Sequence, residues 1–233
     1  MRIILEKMPL KTNVEIIPTR DGSPTLRTAS GITYHSTYGA VQEAQHVFLN
    51  AGFFPALEIF GKEQAPLRVF EMGFGTGLNA FLTALESERI TQPVEYFTVE
   101  KHPLFPEIYH QLSYPQTPEE AALFRKLHEA SWNVPVAISP YFQLQKIEGE
   151  LESIILPSAI HLIYFDAFAP EDHPSAWTEA IFRKLYLALL PGGLLTTYCS
   201  KGVVRRALQS AGFLVEKLPG PPGKREMVRA RRQ

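Results

Sequence analysis

Residues 67–79 read Leu67-Arg68-Val69-Phe70-Glu71-Met72-Gly73-Phe74-Gly75-Thr76-Gly77-Leu78-Asn79. An apolar run that ends in three alternate glycines and opens into a helical pattern describes a strand turning into a helix. The glycines let the backbone turn without Cβ clashes and approach a ligand closely, while free N–H groups at the helix start favour electron-rich atoms. A nucleotide-like ligand is expected there. The dinucleotide fingerprint G-x-G-x-x-G would need glycine where Leu78 stands, and the acid Glu71 precedes the turn instead. An acid attracts the cationic sulfonium and amino groups of S-adenosyl-L-methionine and repels the two phosphates of NAD. The cofactor expected is therefore S-adenosyl-L-methionine, with Glu71, Gly73, Phe74, Gly75, Thr76, Gly77 and Asn79 around it.

Outward from this turn, strand and helix signals alternate, which is how a mainly parallel, doubly wound α/β sheet appears in sequence. Strands are predicted at 67–72, 94–100, 142–147, 161–166 and 194–198, and helices at 78–85, 177–190 and 203–211. Pro191-Gly192-Gly193 should end the helix before it. Runs 213–218 and 226–230 flank Pro219-Gly220-Pro221-Pro222-Gly223, too short a span for a crossover, so they must pair antiparallel. Upstream, Asp21-Gly22 between β-branched runs predicts a small β extension, and 40–51 a helix. Residues 1–60 are expected as an extension on a core domain of residues 61–233. The long 103–140 connection, helical at 119–130, could cap a pocket.

The composition excludes several classes. The chain has 233 residues, 45% hydrophobic and 20% charged, with a formal charge of -1, so it is neither a disordered polyelectrolyte nor a uniformly basic coat. A single cysteine, Cys199, allows no internal disulfide. No basic-then-apolar leader or long apolar run is present, so a cytoplasmic protein without membrane contact is expected. The histidines have no compact metal spacing, and no metal is expected. Charge is uneven: from Lys201 to Gln233 there are nine basic and two acidic residues, a net of +7 against -8 for the remainder. Such a split suits a polyanion at one end and an acidic pocket elsewhere, though a solvated basic tail would look the same.

Three further acids stand at predicted strand ends. Glu100 can accept both ribose hydroxyl hydrogens through its two oxygens. Glu150, in Glu148-Gly149-Glu150, can accept from an adenine amino group, or simply cap a helix. Asp166, in Tyr164-Phe165-Asp166-Ala167-Phe168-Ala169-Pro170, exits an apolar strand beside the crevice where open α/β sheets bind ligands. It is the catalytic candidate, with a loop-capping aspartate as the plainer alternative.

Together these motifs resemble the methyltransferase domain of the MnmC-type tRNA 5-methylaminomethyl-2-thiouridine biosynthesis family. The resemblance is carried by Tyr34-His35-Ser36 through Phe48, by 71–79, by 97–103 with Glu100-Lys101, by Asp166-Ala167-Phe168-Ala169-Pro170 with Trp177, by 201–211, and by Lys224-Arg225-Glu226-Met227. It implies a seven-stranded class I fold and a cofactor site that also takes in Lys101 and Gly149. It further implies methyl transfer from S-adenosyl-L-methionine to the aminomethyl nitrogen of a tRNA wobble uridine. A stand-alone form without the family's oxidase module is expected, fed by enzymes that make the aminomethyl intermediate. Phe168 and Pro170 would shape the acceptor site, and Lys201, Arg205, Arg206, Lys224 and Arg225 would hold the phosphates of the tRNA anticodon region. The 132–141 connection looks compact beside the family's strand-containing insert. Alternatives are an aminopropyltransferase-like small-molecule amine transferase, a non-catalytic RNA-binding protein, and, more distantly, an NAD oxidoreductase.

Overall fold

The computed structural model describes residues 14–61 and 65–233, so the first thirteen residues of the expected extension lie outside the description. Strands β1 (Val14–Pro18) and β2 (Pro24–Thr28) pair antiparallel as a separate hairpin. Its turn is tied by Asp21, whose carboxylate accepts from the Ser23 amide at 2.9 Å and the Thr19 hydroxyl at 2.7 Å.

The helix expected at 40–51 runs further and changes pitch. It comprises α1 (Ala40–Ala44), a π-helical stretch Gln45–Phe53, and α2 (Phe54–Phe60). Pro55 has no N–H for the carbonyl of Ala51, four residues back, and its ring would crowd that carbonyl in a regular helix. The wider π stretch lies just before it, and Arg229 Nη1 donates to the Ala51 carbonyl at 3.4 Å. Gly52 lets the helix lie close on the sheet, since a Cβ there would come within 3.1 Å of Thr196 Oγ1.

The main domain then runs β3 (Leu67–Met72), α3 (Leu78–Ile90), β4 (Val94–Glu100), α4 (Pro106–Tyr109), α5 (Pro118–Glu129), β5 (Pro135–Ser139), β6 (Phe142–Glu148) and β7 (Ile160–Phe165). After a 3-10 turn, Pro174–Trp177, come α6 (Glu179–Ala188), β8 (Leu189–Thr197), α7 (Gly202–Ser210), β9 (Phe213–Pro219) and β10 (Glu226–Arg232). Thr117 and Thr178 cap α5 and α6, their hydroxyls accepting from the amides of Glu120 and Ile181.

The sheet has eight strands in the order β5-β6-β4-β3-β7-β8-β10-β9, one more than expected. The extra one is β5, antiparallel to β6, inside the connection read as compact. It is a short edge strand that begins with proline and buries only Ile138, too little for a period of two to show. The predicted terminal hairpin is present, with β10 antiparallel to both β8 and β9. Strand β8 starts five residues earlier than predicted: Pro191-Gly192-Gly193 is absorbed as a register shift opposite β7, and α6 ends at Ala188.

Two buried clusters fill the faces of the sheet. Leu67 and Val69 pack with the 40–60 helical run, α3 and α5, whereas Phe70 and Met72 pack with α6 and α7. Strand β3 is flanked by β4 on one side and β7 on the other, so successive connections leave it in opposite directions. That divergence opens a crevice beyond the carboxyl ends of the strands. Met72 pairs with Phe165, which sets the glycine turn and Asp166 side by side at its mouth.

Candidate cofactor and acceptor site

Gly73, Gly75 and Gly77 all have positive φ, at 90°, 50° and 74°. The alternate spacing is thus required by backbone conformation, which other residues adopt at a cost. A Cβ on Gly75 would lie 3.4 Å from the Tyr34 ring, and one on Gly77 would lie 2.9 Å from His128 Nε2. Two histidines grip the buried Thr76 between these glycines. His35 Nε2 lies 2.7 Å from its hydroxyl and His128 Nε2 lies 3.1 Å from its carbonyl. Burial depresses both imidazoles, His35 to about 4 and His128 to about 3, so both are neutral at physiological pH. Behind them Lys146, only 1% exposed, donates to the His128 carbonyl at 2.5 Å and points at the Trp132 ring, 4.6 Å from its centroid. Burial lowers its ammonium to about 8.

The turn opens onto a cavity of about 560 Å³, in the range of small-molecule sites. Gly73, Phe74, Gly75, Thr76, Asn79, Glu100, Lys101, Gly149, Glu150, Asp166 and Phe168 all line it, so segments read separately along the chain share one cavity. Glu100 holds the turn open, one carboxylate oxygen accepting from the Gly75 amide at 2.9 Å and the other from His102 at 2.7 Å. Gly149 is fixed beside it by donating to the Glu100 carbonyl. Asp166 Oδ2 accepts from Asn79 Nδ2 at 2.8 Å. Burial, reinforced by the negative charge of Glu43, raises its carboxyl to about 7, against smaller opposing effects from Asn79 and Lys224.

Five carboxylates line the cavity (Glu100, Glu150, Glu152, Asp166 and Asp172), against one lysine, Lys101, which is ion-paired to Glu150. A positive-φ cradle under an acidic wall fits a cationic nucleoside and opposes a pyrophosphate. Glu71 and Gly77, expected on the cofactor, do not line the cavity. The period of two puts Glu71 with Leu67 and Val69 on the face under the helices, beside Thr98 and Tyr164 on the adjacent strands. It is 1% exposed, and burial first, then the nearby Asp166, hold its carboxyl well above the usual range. Glu71 lies one layer below the cavity, and the acids exposed to the cavity are those of its wall. Gly77 faces α5 because it is the left-handed residue that starts α3.

The loop after β7 is pinned from behind. The Trp177 indole donates to the Phe168 carbonyl and the Tyr198 hydroxyl to the Ala167 carbonyl, both at 2.8 Å. Phe168 meets Tyr34 edge-on at 5.1 Å, while Pro170 lies outside the cavity lining.

The five basic residues assigned to phosphate separate into two groups. Lys224 is ion-paired to the buried Glu43, 181 positions away, and its ammonium sits 3.9 Å from the Tyr198 ring centroid. Lys201 is paired to Glu171 at the surface. Among the described residues no carboxylate lies within ion-pairing distance of Arg205, Arg206 or Arg225. Glu43 also accepts from the Ser36 amide at 2.8 Å. Tyr34, His35, Glu43, His128 and Tyr198 were not picked out as site residues from sequence. Their partners lie far along the chain, and only the stretch from Tyr34-His35-Ser36 through Phe48, which includes Glu43, gave a signal. Among the described residues no group of three His, Cys, Asp or Glu side chains could hold a metal. None of the described helices is long and apolar enough to cross a membrane.

The family model for S-adenosyl-L-methionine-dependent methyltransferases matches residues 109–233, more than half of the chain, and the chain belongs to that family. It is also similar to the tRNA 5-methylaminomethyl-2-thiouridine biosynthesis bifunctional protein MnmC of Ralstonia nicotianae, 32% identical over 220 residues. That match takes in 89% of the chain and 33% of the relative, so the chain spans about a third of the length of this curated relative. Among solved structures it resembles MNMC2 from Aquifex aeolicus, with a TM-score of 0.77 and 26% identity over 95% of this chain and 71% of that one. Spermidine synthase from Thermotoga maritima shares the fold, with a TM-score of 0.60 and 14% identity over 99% of this chain and 72% of that one.

Proposed function

We propose that this chain transfers a methyl group from S-adenosyl-L-methionine to the aminomethyl nitrogen of 5-aminomethyl-(2-thio)uridine at the wobble position of tRNA. The observation that carries the reading is Asp166, a half-buried carboxyl near neutrality, fixed by Asn79 at the edge of an acidic nucleoside cavity. The likeness to MnmC over nearly the whole chain supports the choice of acceptor.

The cofactor supplies an electrophilic methyl on a cationic sulfur. Glu100 would accept ribose hydroxyl hydrogens with the lone pairs not used by Gly75 and His102, and Glu150 would face the adenine amino group beside Gly149 and Lys101. A primary alkylammonium has a pKa of about 10.4, so most of the acceptor arrives protonated and without a lone pair. Asp166 takes that proton, directly or through water, and passes it to solvent, so that its carboxylate can steady the ammonium of the product. A carboxyl near 7 is a better acceptor at neutral pH than one near 4. Phe168 and Tyr34 keep water from the reacting nitrogen. Enzymes that install the aminomethyl group act before this step.

The test is to incubate the purified protein with labelled S-adenosyl-L-methionine and either hypomodified tRNA or polyamines, then analyse nucleosides by mass. Label in 5-methylaminomethyl-(2-thio)uridine is expected. Cofactor binding with no label in tRNA, or transfer to polyamines only, would overturn the reading.

A further inference from the structure

We propose that Arg20 and Tyr38 form an exposed stacking platform, continued by Arg225 and Arg205, that holds the single-stranded RNA flanking the acceptor base. This deepens the tRNA reading above and rests on it.

Tyr38 is a large aromatic left 41% exposed. It is nevertheless fixed in place. The Arg20 guanidinium lies 4.2 Å from its ring centroid, and the ring rests on the backbone at Gly223, where a Cβ would come within 2.4 Å of it. Gly223 has a φ of 84°, so conformation and space both call for glycine under the ring. The Arg20 amide donates to the Thr37 carbonyl at 3.0 Å and the Tyr38 amide to Ser36 Oγ at 3.2 Å, locking the β1–β2 turn onto this segment. With Gly223 under one face of the ring and Arg20 over the other, the open plane of the platform is the exposed Arg20 guanidinium backed by the ring, and a nucleobase suits it because every base has a π face and costs the pair no further ordering.

The location agrees. Tyr38 is four residues from Tyr34, which lines the cavity, so the two are at most about 14 Å apart along the chain. One nucleotide can enter the cavity while a neighbour stacks outside. Arg225 follows the Gly223-Lys224 step, and Arg225 and Arg205 both lie within electrostatic reach of Glu226. Neither has a carboxylate at ion-pairing distance among the described residues, which leaves their planar forks for phosphate. Lys224 is committed to Glu43 and is not part of the platform.

The test is binding of an anticodon stem-loop RNA to the full chain by fluorescence anisotropy across a salt titration. Tyr38→Leu, which keeps apolar contact with Gly223 but removes the ring, should weaken binding about tenfold without changing the salt slope. Tyr38→Phe should bind like the parent. Arg225→Gln should reduce the slope of log K against log salt by about 0.7, whereas Arg20→Gln, which removes the stacking plane, should weaken binding about tenfold with little change of slope. Cofactor affinity and melting temperature should stay unchanged in all four. Tyr38→Leu and Arg20→Gln binding within twofold of the parent would overturn the platform while leaving the methyltransferase reading intact. A parent that neither binds nor methylates hypomodified tRNA would overturn both. Equally tight binding of a fully paired RNA duplex of the same length would point to backbone recognition without stacking and would also overturn the platform.

Discussion

The cavity has two walls, and they are built in opposite ways. The glycine-turn wall is local in its residues: Gly73, Gly75, Asn79 and Glu100 all fall within residues 73–100 and Glu100 accepts from the Gly75 amide, while His35, His128 and Asp166 brace it from elsewhere. The acceptor wall is assembled from distant pieces: Tyr34 meets Phe168, Tyr198 holds Ala167, and Glu43 meets Lys224. The first wall takes its shape from backbone geometry. The second takes its shape and its charge from pairwise contacts that mean little in isolation. The difference teaches where each can be broken by a single substitution.

Asp166→Asn should have the largest effect, because it keeps the Asn79 contact in outline but cannot take a proton. Single-turnover methylation should fall by about 10²- to 10⁴-fold, with cofactor affinity by calorimetry changed only slightly. In the parent the rate should rise with pH up to about 7, as the Asp166 carboxyl ionises, and the variant should lack that inflection. A variant that keeps the inflection assigns it to another group.

Next in size is Gly77→Ala, directly behind the local wall. It puts a Cβ at a φ of 74° and 2.9 Å from a histidine nitrogen, a strain of about 1–3 kcal/mol. Cofactor affinity and melting temperature should both drop. Glu43→Gln tests the assembled wall by leaving the Lys224 ammonium without its acid. Because Lys224 is about one-third exposed, the loss in urea denaturation should be about 1 kcal/mol, well short of a fully buried pair. The same variant should move the inflection near pH 7 downward, since the Glu43 charge helps raise the Asp166 carboxyl.

A separate, pH-dependent effect concerns the histidines that grip Thr76. Each is depressed in the folded protein, so its contribution to stability is full above the unfolded value of about 6.5 and is lost as pH falls toward 4 and 3. Melting temperature should therefore decline between pH 6.5 and 4, and His128→Gln should decline less steeply. An equal decline would mean that carboxylates elsewhere dominate the acid response.

Much of the architecture was legible in the sequence because it rests on periodicity and turn chemistry. The glycine turn, the strand that ends in Asp166 and the terminal hairpin all follow from patterns a few residues long. Strand β5 escaped because an edge strand of five residues with one buried side chain has no pattern to show. Glu71 was expected at the cofactor for its charge beside the glycines, and strand alternation turns its side chain under the helices, off the cavity lining. Lys224 was grouped with the phosphate-facing bases because charge along a chain does not reveal a partner 181 residues away. The π stretch before Pro55 was hidden for a related reason, since the wider turns depend on a carbonyl that another strand engages.

The separation between Glu43 and Lys224 also fixes an order of events during synthesis. Domains fold as units while the chain emerges from the ribosome. The glycine turn and the strands beside it are complete once residue 165 has been made, whereas Glu43 has no counter-charge until the last hairpin arrives. A nascent chain therefore has its glycine turn in place before the Glu43 side of the fold gains its counter-charge.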